Sequence, residues 1–120
     1  MSKKTVVMGA TENTQRYSNM AVKSLMRHDH DVVPVGLKAG EIDGVKILAG
    51  HPAIENVDTV TMYVGPKNQV PLYDYILSLK PKRIIFNPGS ENEEFEKMAE
   101  DKGIEVVEAC TLVMLSVGNY

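Results

Sequence analysis

The sequence predicts a doubly wound α/β sandwich in which two layers of helix enclose a five-stranded, mainly parallel sheet in the order 3-2-1-4-5. Three observations predict it. Short β-branched runs fall at residues 5–8, 31–35, 59–64, 83–86 and 104–107, each nearly continuous in apolar character, as strands covered on both faces are. Helical spacing fills the intervals, with Ala21, Val22, Leu25 and Met26 on one stripe, Val70, Tyr73, Ile76 and Leu77 on a second, and Phe95, Met98 and Ala99 on a third. An alternation of strand and helix closes through right-handed crossovers, which put helices on both faces of a parallel sheet.

The first strand, Thr5-Val6-Val7-Met8, ends in Gly9-Ala10-Thr11 and an irregular polar stretch before a helix that opens near Ser18. That order lets a backbone approach a phosphate closely and aims free N–H groups at it. Thr11 and Thr14 stand where a full G-x-G-x-x-G pattern has its second and third glycines, so this turn alone is weak grounds for a nucleotide site. The second strand ends at Gly36-Leu37-Lys38. The connection that follows, 36–58, is long for a compact domain. Within it Asp43-Gly44 predicts a tight turn and residues 45–48 a short strand or edge segment. It is either a lid over a ligand or an excursion that covers the edge of the sheet. The third strand ends at Gly65-Pro66-Lys67-Asn68, where the second helix starts. The fourth ends at Asn87-Pro88-Gly89-Ser90, with Ser90 expected to cap the third helix and Glu93 to complete a capping box. After the last strand come Cys110 and an apolar tail, 111–117, which either folds back as a final helix or forms a homodimer contact.

Composition bounds the rest. A chain of 120 residues, 43% hydrophobic, buries one ordinary core, so residues 1–120 are expected to form a single domain. Net charge is −3 with both signs interspersed, which disfavours nucleic acid as a partner. The run after Lys3-Lys4 is too short for a signal peptide, and no segment approaches the roughly 18 apolar residues of a membrane span. A cytoplasmic location follows as the expectation. One cysteine, Cys110, rules out an intramolecular disulfide framework and any multi-cysteine metal site.

Ligands of such sheets bind outside the carboxyl ends of the strands where the order reverses, here expected between the first and fourth strands. This brings the 9–17 turn against Asn87-Pro88-Gly89-Ser90, with Gly36-Leu37-Lys38 and Gly65-Pro66-Lys67 beside them. Glycine and proline punctuate any α/β domain, so each turn alone is also explained without a ligand. Charge separates the turns further. The third helix carries Glu93 and Glu94 in its first turn, which already compensate its positive end. The first helix begins Ser18-Asn19-Met20-Ala21 with no acid and with Arg16 just before it, and the second has the cation Lys67 at its start. A bound anion would reconcile both, as would plain solvation of Arg16, Lys38 and Lys67. The acid that takes the ribose hydroxyl of NAD at the end of a second strand is replaced here by Gly36-Leu37-Lys38, which suits NADP or coenzyme A better.

At this point the chain resembles the small, single-domain CoA-binding proteins, whose Rossmann-like domain is also that of the succinyl-CoA synthetase α subunit. The resemblance rests on Gly9-Ala10-Thr11, Arg16-Tyr17-Ser18, the Val32-Val33-Pro34-Val35 strand with Lys38 after it, Gly44, Asn87-Pro88-Gly89 and Glu108-Ala109-Cys110. Two turns depart from the family pattern: Gly36-Leu37 replaces Asn-Pro, and Asn87-Pro88-Gly89 replaces a turn that often has an aromatic residue and Gln before its Gly. The resemblance implies a coenzyme A pocket along the carboxyl edge of the sheet. In it Gly9, Ala10 and Thr11 would meet the diphosphate with backbone N–H groups. Ser18 would add its hydroxyl and the helix end beside Tyr17. Arg16 and Lys38 would face phosphates, Lys38 that of the ribose. Val64, Gly65 and Pro66 would line the adenine or pantetheine path, and Asn87, Pro88 and Gly89 the opposite wall. Gly36 and Lys67 complete the candidate site from the turn and dipole arguments.

No catalytic set is evident. His28 and His30 fall at the far end of the first helix, where cations are favourable without any metal. His51 has no acidic or nucleophilic neighbour in sequence, and Cys110 is either a small buried hydrophobe or a thiol within reach of bound coenzyme A. Three classes of function remain: a noncatalytic module binding coenzyme A or an acyl-CoA; an NADP-dependent or acyl-transferring enzyme using Tyr17, Cys110 or His51; and an oligomeric scaffold with no ligand.

Overall fold

The computed structural model describes residues 2–120. Its sheet has seven strands, in the order β3-β4-β2-β1-β5-β6-β7. The strands are β1 (Thr5–Met8), β2 (Val32–Gly36), β3 (Gly40–Ile42), β4 (Val45–Ala49), β5 (Thr59–Met62), β6 (Arg83–Phe86) and β7 (Glu105–Glu108). All neighbours run parallel except β3 and β4. The helices are α1 (Tyr17–Arg27), α2 (Pro66–Gln69), α3 (Tyr73–Ser78), α4 (Glu93–Asp101) and α5 (Thr111–Val117), with a 3-10 turn at Val70–Leu72 between α2 and α3.

Two strands were not expected as full members of the sheet, and they correct its order. The third place, outside β2, belongs to β4, not to the run beginning at Thr59. Asp43 and Gly44 both have positive φ, 46° and 85°, and close a two-residue hairpin that turns β3 back along β4. The long connection therefore extends the sheet. The Thr59 strand returns to pair with β1 in full register, Met8 opposite Met62. The helical segment expected after Gly65 is interrupted because Pro71 supplies no N–H to a helical ladder. The apolar tail does form a helix, α5, which packs beside α1.

Each face of the sheet has its own core. Val6, Val60, Met62, Ile84 and Phe86 meet α3 and α4 through Ile76, Phe95 and Ala99. On the other face Val7 packs with Val22 and Leu25 of α1 and with Leu115 of α5. The edge strand β7 departs from the double burial expected of its run, because its outer residues Glu105 and Glu108 lie in solvent. Charges there protect the edge from pairing with another chain.

At the amino edge Tyr120 covers a buried arginine. The Arg83 guanidinium lies 4.5 Å from the Tyr120 ring centroid, and its Nε donates to Thr59 Oγ1 at 3.1 Å. His30 stacks obliquely on the same ring and accepts the Lys3 main-chain N–H at Nδ1, 3.0 Å away. Burial, then the Lys3 ammonium, hold the His30 pKa below its ordinary value, with smaller contributions from His28 and Arg83. Between that lowered value and about 6.5 the unfolded chain takes up a proton that the folded protein refuses, so stability falls as the pH drops below about 6.5. Melting curves from pH 8 to pH 5 are expected to show this slope, and His30→Gln, which keeps an acceptor for Lys3, is expected to flatten it. An undiminished slope in that variant would place the titration elsewhere.

Candidate functional site

The chain reverses direction across the sheet between β1 and β5, so the crevice opens there and not beside β6 as a five-stranded order implied. The aligned registers bring Gly9, Gly36, Tyr63 and Asn87 to one edge, each just past or at the end of its strand.

The turn after β1 is pressed onto β2. Gly9 N and Ala10 N both donate to Val35 O at 2.9 Å. Those two amides are thus committed to the protein, which corrects the expectation that they face a diphosphate. Gly36 makes the close approach feasible: a Cβ there would stand 2.2 Å from Ala10 O. Gly9 needs its φ of 93° and would bring a Cβ to 2.9 Å from Tyr63 O.

What the turn does present is the start of α1. Asn19 N and Met20 N turn back to Arg16 O, at 3.1 and 3.3 Å. Among the described residues the N–H groups of Tyr17 and Ser18 have no protein partner, Arg16 makes no side-chain cap, and the first turn holds no acid. Arg16 is exposed and Tyr17 is 68% exposed, while Ser18 is buried. Asn19, which the sequence did not single out, ties the turn to the helix. Its Nδ2 donates to Thr11 O at 3.0 Å, and it is 2% exposed with Oδ1 lacking a partner. The signal available was a poor helix former in a first helical turn. The acid of the loop is turned away, since Glu12 Oε2 accepts the Glu41 N–H of β3 at 3.0 Å.

Lys38 and Leu37 stand exposed in the turn after β2. Gly65 is the N-cap of α2, with Pro66 and Lys67 exposed behind it and no acid in that turn. A Cβ added at Gly65 or Gly89 would meet nothing within 4 Å, so neither turn is crowded at its glycine.

The turn after β6 differs in charge and in the use of its side chains. Asn87 faces the protein, not the crevice: it is 2% exposed, its Nδ2 donates to Thr61 Oγ1 at 2.7 Å and Met62 O at 2.8 Å, and its Oδ1 accepts Thr111 N–H at 2.8 Å. Pro88 and Gly89 remain exposed. Gly89 N–H is covered by the Glu91 carboxylate at 2.8 Å. The cap of α4 is Asn92, two residues beyond the expected Ser90. Asn92 Oδ1 accepts from Phe95 N at 3.1 Å and its N–H donates to Glu96 Oε2 at 3.0 Å, while the Ser90 hydroxyl is held within the turn by Asn87 O. Glu93, Glu94 and Glu96 crowd the first turn of α4, as the first two were expected to.

The titratable candidates are dispersed. His51 lies beyond β4, stacked on Tyr75 at 4.6 Å, and Cys110 is half-buried before α5. The Tyr63 hydroxyl is buried without a hydrogen-bond partner, and burial raises its pKa far beyond neutrality. Two open hollows, about 450 and 650 Å³, lie at the opposite edge near His30 and between the ends of α3 and α4. Neither reaches the carboxyl ends of the strands, where ligands of this architecture bind.

A family model described as a CoA binding domain matches residues 3–116. The chain belongs to that family. Its fold is similar to that of a crystal structure of an uncharacterized protein, 54% identical with a TM-score of 0.97, covering 100% of this chain and 99% of that one. A hypothetical protein from Pyrococcus horikoshii OT3 is 25% identical at a TM-score of 0.87, over 97% of this chain and 83% of that one. The acetyl-coenzyme A synthetase 1 of Ca. Korarchaeum cryptofilum, in complex with phosphate and ADP, shares the fold at 19% identity and a TM-score of 0.73. That match covers 89% of this chain and 25% of the synthetase. No curated protein matches this chain. The architecture is thus the Rossmann-like one the sequence resembled, and among the described residues no helix is long and apolar enough to cross a membrane. Family membership supports coenzyme A as the ligand. The chemistry of the carboxyl edge suits an anionic ligand: the start of α1 has no acid in its first turn and Arg16 as its N-cap.

Proposed function

We propose that this protein binds coenzyme A or an acyl-CoA across the carboxyl edge of its sheet and acts as a noncatalytic cytoplasmic binding module. The start of α1 carries the reading: two free amides, no acid in the first turn and Arg16 as the N-cap, all beneath a turn locked onto β2. A diphosphate there gains the helix dipole, the amides of Tyr17 and Ser18, the Ser18 hydroxyl and the Arg16 charge. Lys38, one strand over, takes the ribose phosphate, and Lys67 adds its charge from the start of α2. Gly9, Ala10 and Thr11 shape the floor by their close packing. Glycine at position 36, in place of an acid, favours a ligand phosphorylated on the ribose over NAD.

Thermal-shift titration with coenzyme A, 3′-dephospho-CoA, NADP and NAD tests this. At a hundred times Kd a ligand that binds only the folded state adds about 2.7 kcal/mol, a rise of about 10 °C in a domain of this size. Removing the 3′-phosphate, or making Arg16→Ala or Lys38→Ala, is expected to weaken binding about tenfold each, the worth of one charge-assisted contact. No shift with millimolar coenzyme A would overturn the reading. A shift with NADP alone would replace it with the dinucleotide-dependent enzyme.

A further inference from the structure

A single buried side chain links the two turns on the far side of the crevice. Gln69 of α2 is fully buried, with its Nε2 donating to Val64 O at 2.8 Å and to Ser90 O at 2.7 Å. Its Oε1 accepts from Asn92 Nδ2 at 3.0 Å, and the same Asn92 nitrogen reaches Tyr73 Oη at 2.8 Å. One amide therefore sets the separation of the Val64-Gly65-Pro66 turn from the Pro88-Gly89-Ser90 turn and joins both to the cap of α4. Immobilising and burying a glutamine is costly unless its donors and acceptor are all used, as they are here.

Charge shows which part of a ligand these turns receive. Glu91 covers the Gly89 amide and three glutamates fill the first turn of α4, so an anion is disfavoured at the turn after β6. The uncompensated start of α1 and the cations Arg16 and Lys38 lie on the α1 and β2 side, and Lys67, exposed at the start of α2, stands between that side and the β6 turn. A ligand with an anionic nucleotide end and an uncharged arm is thereby oriented, its arm running between the two glycine turns.

We infer that Gln69 is a positioning residue for the uncharged arm of the ligand, the pantetheine of coenzyme A, and that it leaves the nucleotide end untouched. This rests on the coenzyme A reading above. Isothermal titration of the wild type, Gln69→Met and Asn92→Asp with coenzyme A and with adenosine 3′,5′-bisphosphate, which lacks the arm, tests it. Gln69→Met keeps the volume and strips both carbonyls of their donor. Should it fail to fold, Asn92→Asp retains the helix cap and draws the Gln69 amide nitrogen off Val64 and Ser90 towards the new carboxylate. Coenzyme A affinity is expected to fall about tenfold in Gln69→Met and about threefold in Asn92→Asp, with the bisphosphate within twofold of wild type in both. Parallel loss of both ligands, or loss of neither, would overturn the role of Gln69. A wild type that binds neither ligand would instead overturn the coenzyme A reading itself.

Discussion

Gly36→Ala is expected to lower stability by about 3 kcal/mol and coenzyme A affinity by about 100-fold. The new Cβ would lie 2.2 Å from Ala10 O and 3.2 Å from Ala10 C, with Ile47 Cγ2 at 3.3 Å. The obstruction is main chain, so no side-chain rotation relieves it. To reach an ordinary C···O contact of about 3.3 Å the loop must withdraw by roughly 1 Å. That movement pulls Gly9 N and Ala10 N from Val35 O and, through Thr11 O, disturbs Asn19 at the start of α1. The start of α1, with its free amides and Arg16, is then displaced from the turn after β2 that carries Lys38. A fall of about 10 °C in melting temperature, with no further shift on adding coenzyme A, is the expected record. Gly65→Ala supplies the contrast. Its Cβ meets nothing within 4 Å and its φ of −64° suits alanine, so stability is expected to hold within about 0.5 kcal/mol while the added methyl narrows the approach to the crevice and weakens coenzyme A binding. Wild-type binding by Gly36→Ala would remove the β1 turn from the site.

The residues explain why some of this was legible beforehand and some was not. β1 and β6 were read to the residue, because their runs are short, β-branched and flanked by turn formers. β4 was visible only as a suggestion. Of its residues 45–49 only Ile47 is buried, with Lys46, Leu48 and Ala49 exposed, and nothing local states that such a segment continues a sheet through two parallel contacts at Leu48 and Ala49. Missing it displaced the Thr59 strand and with it the expected position of the crevice. The charge argument needed no topology: the absence of acids at α1 and their abundance at α4 are sequence facts that survive any arrangement of the strands. Side-chain commitments were not legible. Asn87 looks from sequence like a polar wall residue, and nothing in the sequence singles out Gln69. Only the fold shows that each lies within hydrogen-bonding reach of main chain more than twenty positions away or in another element.

Asn87→Ala is expected to cost about 4 kcal/mol while leaving ligand binding largely intact, the reverse of the Gly36→Ala pattern in which affinity goes too. Removing the amide leaves Thr111 N–H and Met62 O without partners in a region closed to water, at roughly 1–3 kcal/mol each, and opens a small cavity besides. Thr61 and Thr111 retain their mutual hydroxyl contact at 2.7 Å, which limits the loss. The released element is α5, whose Met114 and Leu115 are buried, so amide exchange should speed up first in that helix. The crevice is affected less. The Asn87 carbonyl still receives the Ser90 amide and hydroxyl, and Gln69 still holds Ser90 to Val64, so the turn keeps its shape without the Asn87 side chain. Urea unfolding is therefore expected to show a much lower midpoint with an unchanged slope, and saturating coenzyme A to add nearly the stabilisation it adds to the wild type. The opposite result, a stable variant that coenzyme A no longer stabilises, would make Asn87 a ligand contact and require its side chain to turn outward when the crevice fills.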